Sequence, residues 1–127
     1  DGRQQEGIDL FMAFTDTSIP KVCIENPVGI MSTKWRESDQ IIQPYYFGDD
    51  AKKTTCLWLK GLRQLVHVPD GDLFDECTHV EPDITTLKTG AKFSTWDYLI
   101  SMDHKNRAKL RSKTFPGIAN AMAEQWG

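Results

Sequence analysis

A helical repeat of apolar residues near the amino terminus predicts an amphipathic helix over residues 5–14, with one buried face. That face carries Ile8, Phe11, Met12 and Thr15. The run Val22-Cys23-Ile24 is continuously apolar, which is typical of a strand covered on both sides in a parallel sheet. Asn26-Pro27 directly after it predicts an abrupt loop. Open α/β sheets place their ligands at the carboxyl ends of such strands, so this loop is the first candidate for a site.

The middle of the chain predicts a hairpin between two longer loops. Residues 29–40 mix Gly, Ser, Thr and charge and predict an irregular surface loop. Ile41-Ile42 and Tyr45-Tyr46-Phe47 predict one strand, interrupted or edged by Pro44. Gly48-Asp49-Asp50 supplies a turn, and residues 54–59 are rich in strand formers. Residues 61–92 carry several Gly and Pro breakers and predict a loop-rich segment.

The carboxy-terminal part predicts one helix clearly and a second only as an alternative. Residues 103–112 are polar almost all round, which fits either a solvated helix or a linker. A terminal helix is predicted with Thr114 as its N-cap and Pro116 in its first turn. Its apolar stripe comprises Ile118, Ala119, Met122, Ala123 and Trp126.

Length and composition favour a single domain over residues 1–127. The chain is 39% hydrophobic and 26% charged, as in ordinary globular proteins. It contains no apolar run near the roughly 20 residues of a membrane span and no secretory signal, so no membrane partner is expected. Three cysteines are an odd number and do not predict a disulfide framework, which favours a reducing cytoplasm. The chain does not begin with Met, which suggests a processed or truncated product.

Charge is distributed unevenly along the chain. The net charge of -3 argues against a general polyanion binder. Residues 70–83 hold six acids and no Lys or Arg. A later stretch is basic and contains Lys105, Arg107, Lys109, Arg111 and Lys113. Any phosphate contact is expected from the basic stretch, although a solvated helix face or linker explains it equally well.

Three segments together resemble the cytosine-5 DNA methyltransferases and a bacteriophage group described as methyltransferase-like. Ile24-Glu25-Asn26-Pro27 is similar to the Glu-Asn-Val or Glu-Asn-Pro signature of that family. The segments 45–62 and 111–123 resemble the later parts of the phage group. The resemblance implies an α/β fold, namely a partial Rossmann-like sheet of S-adenosylmethionine-dependent methyltransferases with flanking helices. The chain would be its carboxy-terminal half, with a loop-rich insertion at about 63–100.

The resemblance also implies roles for individual residues. In the family, a Cys thiolate attacks C6 of a flipped cytosine and the motif Glu binds the N3 and amino edge of the base. Glu25 would take that role, holding a proton when it donates to N3, and Asn26 would orient the loop. Lys52 and Lys53 lie where the family has Gln-x-Arg-x-Arg, and would contact DNA phosphate; the alternative is a solvated hairpin tip. Lys109 and Arg111 are the other expected DNA contacts, because they lie in the basic stretch and not because of the resemblance.

The terminal segment is expected to complete the cofactor pocket, through Thr114 and Gly117. The Gly-rich turn and the Pro-Cys nucleophile loop that precede the Glu-Asn motif in the family are absent from this sequence. The sequence therefore predicts part of a DNA cytosine methyltransferase, inactive alone, in the bacterial host cytoplasm. S-adenosylmethionine would bind only with a companion chain, and a self-associated copy is the other expected partner. The alternatives are a fragment, a decayed DNA-binding or assembly module, or an unrelated small α/β interaction protein.

A metal site is not expected. His67, Cys77 and His79 lie among several aspartates, but their spacing matches neither the usual zinc patterns nor a calcium loop. A solvated loop explains these residues better.

Overall fold

The computed structural model describes residues 2–127, which form two units. Unit 1 comprises residues 2–41 and 55–64, and unit 2 comprises residues 42–54 and 65–127. The helices are α1 (Gly2–Thr15), α2 (Met31–Lys34), α3 (Thr95–Met102), α4 (Arg107–Ser112) and α5 (Pro116–Trp126), with a 3-10 helix at Pro44–Phe47. The strands are β1 (Val22–Pro27), β2 (Gln40–Ile42), β3 (Thr55–Lys60), β4 (Ile84–Thr86) and β5 (Lys92–Ser94). Within residues 2–127, no helix has both the length and the apolar character needed to cross a membrane.

The fold is mixed α/β with small antiparallel sheets. One sheet has the order β1-β3-β2, and β4 pairs with β5 in the other. β1 runs antiparallel to β3, with Ile24 opposite Trp58 and Pro27 opposite Thr55. The expectation of a parallel, doubly covered strand is therefore wrong for Val22-Cys23-Ile24. These residues are half-buried because β1 is the edge strand of its sheet in the described part of the chain.

The predicted loop at Asn26-Pro27 is also wrong, because β1 continues through Pro27. Proline lacks an N–H group and is tolerated at a sheet edge, where no neighbouring strand needs that donor. Glu25 and Asn26 are consequently held in an extended strand, opposite Leu57 and Cys56.

Helix α1 confirms the predicted amphipathic helix and extends it by about a turn. Phe11 is its buried residue, and it forms the core of unit 1 with Met31, Cys56 and Trp58. The Phe11 ring meets the Trp58 ring edge-on, with centroids 5.0 Å apart. Ile8 and Met12 pack against the same cluster, as the helical spacing predicts.

The central segment differs from the predicted hairpin in one element. β2 lies beside β3 as expected, but Tyr45-Tyr46-Phe47 forms a 3-10 helix instead of a strand. Pro44 begins this helix, and Gly48 ends it in the left-handed conformation at φ 93. Residues 29–40, predicted as a loop, contain α2 and the first residue of β2.

The carboxy-terminal helices follow the predictions in part. The polar stretch forms the exposed helix α4, which settles the alternative between helix and linker. α5 starts at Pro116 as expected, but its N-cap is Phe115 and not Thr114. Ile118 is buried as predicted, whereas Ala121 replaces Ala119 and Ala123 on the buried side. The buried face of α5 is therefore rotated from the predicted one. Ala119 and Ala123 would bury little apolar area, so the larger Ile118 side chain determines which face of the helix packs inward.

Candidate functional site

Glu25 and Asn26 lie next to each other near the end of β1. Side chains alternate along a strand, so Asn26 shares a face with Ile24, and Glu25 shares the other face with Cys23. Ile24 packs against the core that contains Phe11 of α1. Both motif residues line a pocket of about 400 Å³ in unit 1. The other lining residues are Arg3, Gln4, Gly7, Ile8, Leu10, Phe11, Phe14, Ile24, Ile30 and Met31.

The cysteines near this motif are poor nucleophiles. Burial raises the pKa of the Cys23 thiol to about 12, and the negative charge of Glu25 adds to the effect. Cys23 is therefore a neutral thiol near pH 7, whereas the thiolate is the reactive form. Cys56 is 2% exposed, within β3 and the core of unit 1. The pocket is thus lined by Glu25, and neither of these two cysteines supplies an activated thiol to it.

Two of the predicted DNA contacts meet in unit 2. Lys53 donates a hydrogen bond from Nζ to the carbonyl oxygen of Arg111, 58 residues later, at 2.5 Å. The Arg111 guanidinium pairs with Asp97, with Nη2 and Oδ1 3.0 Å apart. The Lys53 segment is itself fixed, because the Lys53 backbone N–H donates to Gln43 Oε1 at 2.8 Å.

The other two predicted DNA contacts, Lys52 and Lys109, lie close in sequence to Lys53 and Arg111. Lys109 is exposed in the last turn of α4. Lys52 is also exposed, and its Nζ lies 5.9 Å from the centre of the Tyr45 ring, within the range of a cation–π contact. The structure therefore joins the two basic segments through one direct contact, between Lys53 and Arg111.

Thr114 and Gly117 line different pockets. Thr114 borders a pocket of about 250 Å³ with Trp96 and Phe115. Gly117 borders another of about 230 Å³. Each is smaller than the roughly 300 Å³ at which ordinary ligand sites begin, so these two residues do not assemble a cofactor site by themselves. Their contact with a cofactor stays a prediction.

Gly117 has a second explanation in its packing. A Cβ atom added to it would lie 2.2 Å from the Phe47 carbonyl oxygen and 2.7 Å from Asp49 Oδ2. The Gly117 backbone N–H donates to the same Asp49 oxygen at 2.8 Å. The residue is small because the carbonyl oxygen of Phe47, the last residue of the 3-10 helix, lies directly against it.

Sequence patterns did not reveal an aromatic and histidine cluster in unit 2. His67 Nδ1 and His79 Nε2 lie 2.8 Å apart, and the Tyr46 ring stacks on both imidazoles with centroid distances of 4.6 Å. Burial, followed by the charge of His79, lowers the pKa of His67. Twelve residues separate the two histidines, and no periodic signal links them. The described residues, 2–127, contain no group of three or more metal-ligating side chains.

A second unpredicted feature is a set of hydrogen bonds in unit 1 that connects Arg36 to Asp39 and Asp39 to β3. Arg36 forms two hydrogen bonds to the Asp39 carboxylate, at 2.9 and 3.0 Å, and lies over the Trp35 ring. Asp39 in turn accepts from the Leu59 backbone N–H at 2.6 Å. The hydrogen bond from Arg36 is the main reason that the pKa of Asp39 is lowered. The spacing of three residues between Arg36 and Asp39 is the sequence signal that could have indicated the pair.

Comparison of the chain with protein-family models, curated proteins and solved structures gave no match.

Proposed function

We propose that this chain is part of an S-adenosylmethionine-dependent DNA cytosine methyltransferase and that, alone, it binds DNA without transferring a methyl group. The observation that carries the proposal is the contact between Lys53 and Arg111. It joins Lys53, which the family resemblance assigns to DNA, to the basic stretch that is expected from its charge to contact phosphate. The small antiparallel sheet of β1, β3 and β2 would be one side of a larger Rossmann-like sheet. β1 is the edge where further strands would add, since an uncovered edge is a liability that proteins usually cover.

Glu25 would hold the flipped cytosine through hydrogen bonds to the N3 and amino edge of the base. Asn26 follows Glu25 in β1 and would help to orient it. Pairing of β1 with β3 holds the backbones of both residues in place. The pocket of about 400 Å³ beside them leaves space for a planar base. The rigid strand would keep the carboxyl group in place without the entropy cost of ordering a loop.

The nucleophile and the cofactor site must come from another segment or a companion chain. Cys23 is protonated and Cys56 is in the core, so neither offers a thiolate to the base. Thr114 and Gly117 line two small, separate pockets and do not form a complete cofactor site. S-adenosylmethionine would supply the methyl group once the missing half completes its pocket.

The decisive catalytic test is Glu25→Gln in the enzyme completed by its amino-terminal half. The substitution keeps the shape of the side chain and removes the acid, so methyl transfer from labelled S-adenosylmethionine to DNA should fall by at least about 100-fold. Glu37→Gln removes the same charge at another position and should leave transfer unchanged. Equal transfer by wild type and Glu25→Gln would remove Glu25 from the mechanism.

DNA binding is tested on the chain by itself. The logarithm of the affinity should fall linearly with the logarithm of salt concentration. Lys109→Ala combined with Arg111→Ala should reduce that slope by about 1 to 2, because each phosphate contact contributes about 0.9 and Arg111 is shared with Asp97. Lys88→Ala, at an exposed lysine in the turn between β4 and β5, is the matched control. Salt-independent binding would contradict the proposal.

The second candidate is a DNA-binding or assembly module without catalytic chemistry. The observation that favours it is the same protonated Cys23 and buried Cys56. It predicts the full salt dependence of DNA binding together with no methyl transfer, even when an amino-terminal half is supplied.

A further inference from the structure

Unit 2 displays a pair of large apolar side chains in its most acidic segment. Leu73 is 91% exposed and Phe74 is 88% exposed. Asp70, Asp72, Asp75 and Glu76 flank them, without a nearby Lys or Arg. We call residues 70–76 the acidic knob. Isolated exposed apolar residues are common, but two adjacent ones at this exposure are a surface that favours contact.

Hydrogen bonds within the acidic knob hold its shape. Asp72 Oδ1 accepts from the backbone N–H groups of Phe74 and Asp75, at 2.7 and 2.9 Å. The Asp72 N–H donates to the Asp75 carbonyl oxygen at 2.9 Å, which closes the turn. A Cβ on Gly71 would lie 2.9 Å from the Cys77 nitrogen, so the base of the turn is tight. The two apolar side chains are thus presented with part of the ordering cost of binding already met.

The same unit contains a pocket of complementary character. It has a volume of about 250 Å³ and is lined by Trp96, Ile100, Leu110, Lys113, Thr114, Phe115 and Pro116. The Trp96 and Phe115 rings form one wall, with centroids 4.9 Å apart. Lys113 is exposed at the rim. The helix α4 that precedes Lys113 adds Arg107, Lys109 and Arg111. Arg111 pairs with Asp97, and Arg107 and Lys109 are exposed, so the surroundings carry more cations than this one acid offsets. We call this the basic-rimmed pocket.

We propose that the acidic knob of one copy of this chain inserts into the basic-rimmed pocket of a second copy. Leu73 and Phe74 are almost fully exposed, so the knob does not occupy the pocket of its own chain. The apolar pair matches the aromatic and aliphatic wall, and the acids of the knob match the cations around the pocket. Complementary charge of this kind sets the choice and the orientation of a partner.

The charge of the acidic knob also favours a second copy of this chain over DNA or an anionic membrane as its partner. A DNA or an anionic membrane surface carries phosphate groups, which the four acids of the knob would repel. A second copy offers the cations that those acids need. The contact joins different surfaces of the two copies, so it is heterologous and can continue from one copy to the next.

The test is sedimentation of the full chain at concentrations up to about 1 mM, since so small a contact belongs to the weak class of interfaces. Wild type should associate reversibly, and more weakly as salt increases. Leu73→Ser with Phe74→Ser should weaken association at least about tenfold. Lys113→Glu should do the same from the pocket side. Val28→Ser, at a loop residue that is 65% exposed, is the matched control and should associate as wild type does.

Mixing the two defective variants gives the sharpest result. The Leu73→Ser/Phe74→Ser protein keeps an intact pocket, and the Lys113→Glu protein keeps an intact knob. Their mixture should form a 1:1 dimer that cannot extend, at concentrations where each variant alone, weakened at least about tenfold, stays monomeric. A monomeric wild type at about 1 mM would overturn the proposal and leave the knob to another protein partner. Unchanged association of either variant, or a monomeric mixture, would overturn it as well.

Discussion

Unit 1 has one cluster of buried apolar side chains at its centre, with Phe11 and Trp58 in edge-on contact. Unit 2 also buries apolar residues, among them Ile42, Ile100 and Ile118, and both units contain hydrogen bonds between side chains and distant backbone groups. Gln125 bonds both the N–H and the carbonyl oxygen of Val66, and Asp50 accepts from the Asp83 N–H at 2.6 Å. The units differ in the aromatic contact of Trp58 in unit 1 and in the close packing at Gly117 and the histidine pair in unit 2. Unit 1 should therefore respond to volume lost at Trp58, and unit 2 to volume added at Gly117 and to protonation.

The largest expected effect is from Trp58→Ala in unit 1. Trp58 is 2% exposed, so its removal should lower the free energy of unfolding by about 3–5 kcal/mol through lost packing and a cavity. Trp58→Phe should cost less, because it keeps most of the volume and loses the hydrogen bond from Nε1 to the Arg36 carbonyl oxygen. Urea denaturation gives the free energies. Amide hydrogen exchange in β3 and α5 then shows whether the loss is confined to unit 1; equal loss in α5 would contradict the contrast.

The next effect is from Gly117→Ala in unit 2. The new methyl group would overlap the Phe47 carbonyl oxygen, so the backbone must shift at a cost of about 1–3 kcal/mol. Gly7→Ala in α1 is the opposite control, since no atom lies within 4 Å of its added Cβ. That substitution should stabilise the helix by about 0.5–1 kcal/mol. Urea midpoints measure both changes in stability. An unchanged midpoint for Gly117→Ala would show that Gly117 is not packed closely against Phe47.

Helices and strands that follow from a local repeat of apolar residues were predicted from the sequence. Strand pairing and contacts between residues far apart in the chain were not. α1 was predicted because one face repeats at helical spacing. β1 was located correctly, but its pairing was predicted wrongly, because a run of three apolar residues is too short to distinguish a parallel strand from an antiparallel one. α3 was overlooked although Ser94 caps it by accepting from the Asp97 N–H, a local signal that the sequence contains.

The candidate site shows the same division. The order of residues gave Glu25 and Asn26 as neighbours, but not the strand that holds them. The stretch that contains Arg111 was identified by its charge and Lys53 by the family resemblance, whereas the contact between the two residues spans 58 positions and requires the folded chain. The pairing of His67 with His79 is of the same kind.

Protonation should weaken unit 2 through His67. Burial lowers the pKa of His67 below its usual 6.5, so the unfolded chain takes up a proton there more readily than the folded chain. Stability from this group is present above about pH 6.5 and declines as the pH falls toward the lowered pKa. The groups around it are His79, Tyr46 and Phe47, with Tyr45 against His79.

The measurement is the urea midpoint at pH 7.5 and 5.5. Wild type should lose stability at the lower pH, and His67→Gln should lose less, because it has no proton to gain. His104→Gln, at an exposed histidine, should keep the wild-type difference. An identical pH dependence in all three proteins would show that the histidine pair does not restrain unit 2.

The smallest expected effect concerns the charge around Arg111. Asp97 pairs with the Arg111 guanidinium at 3.0 Å on the surface, where such a pair is worth only about 0–1 kcal/mol. Asp97→Asn should free Arg111 for phosphate and raise DNA affinity at low salt by less than about tenfold. The gain should fade as salt screens the charge. Glu81→Gln makes the same change in net charge at another exposed acid of unit 2. If both variants gain equally, the effect is the overall charge of unit 2; a gain specific to Asp97→Asn places Arg111 at the DNA backbone.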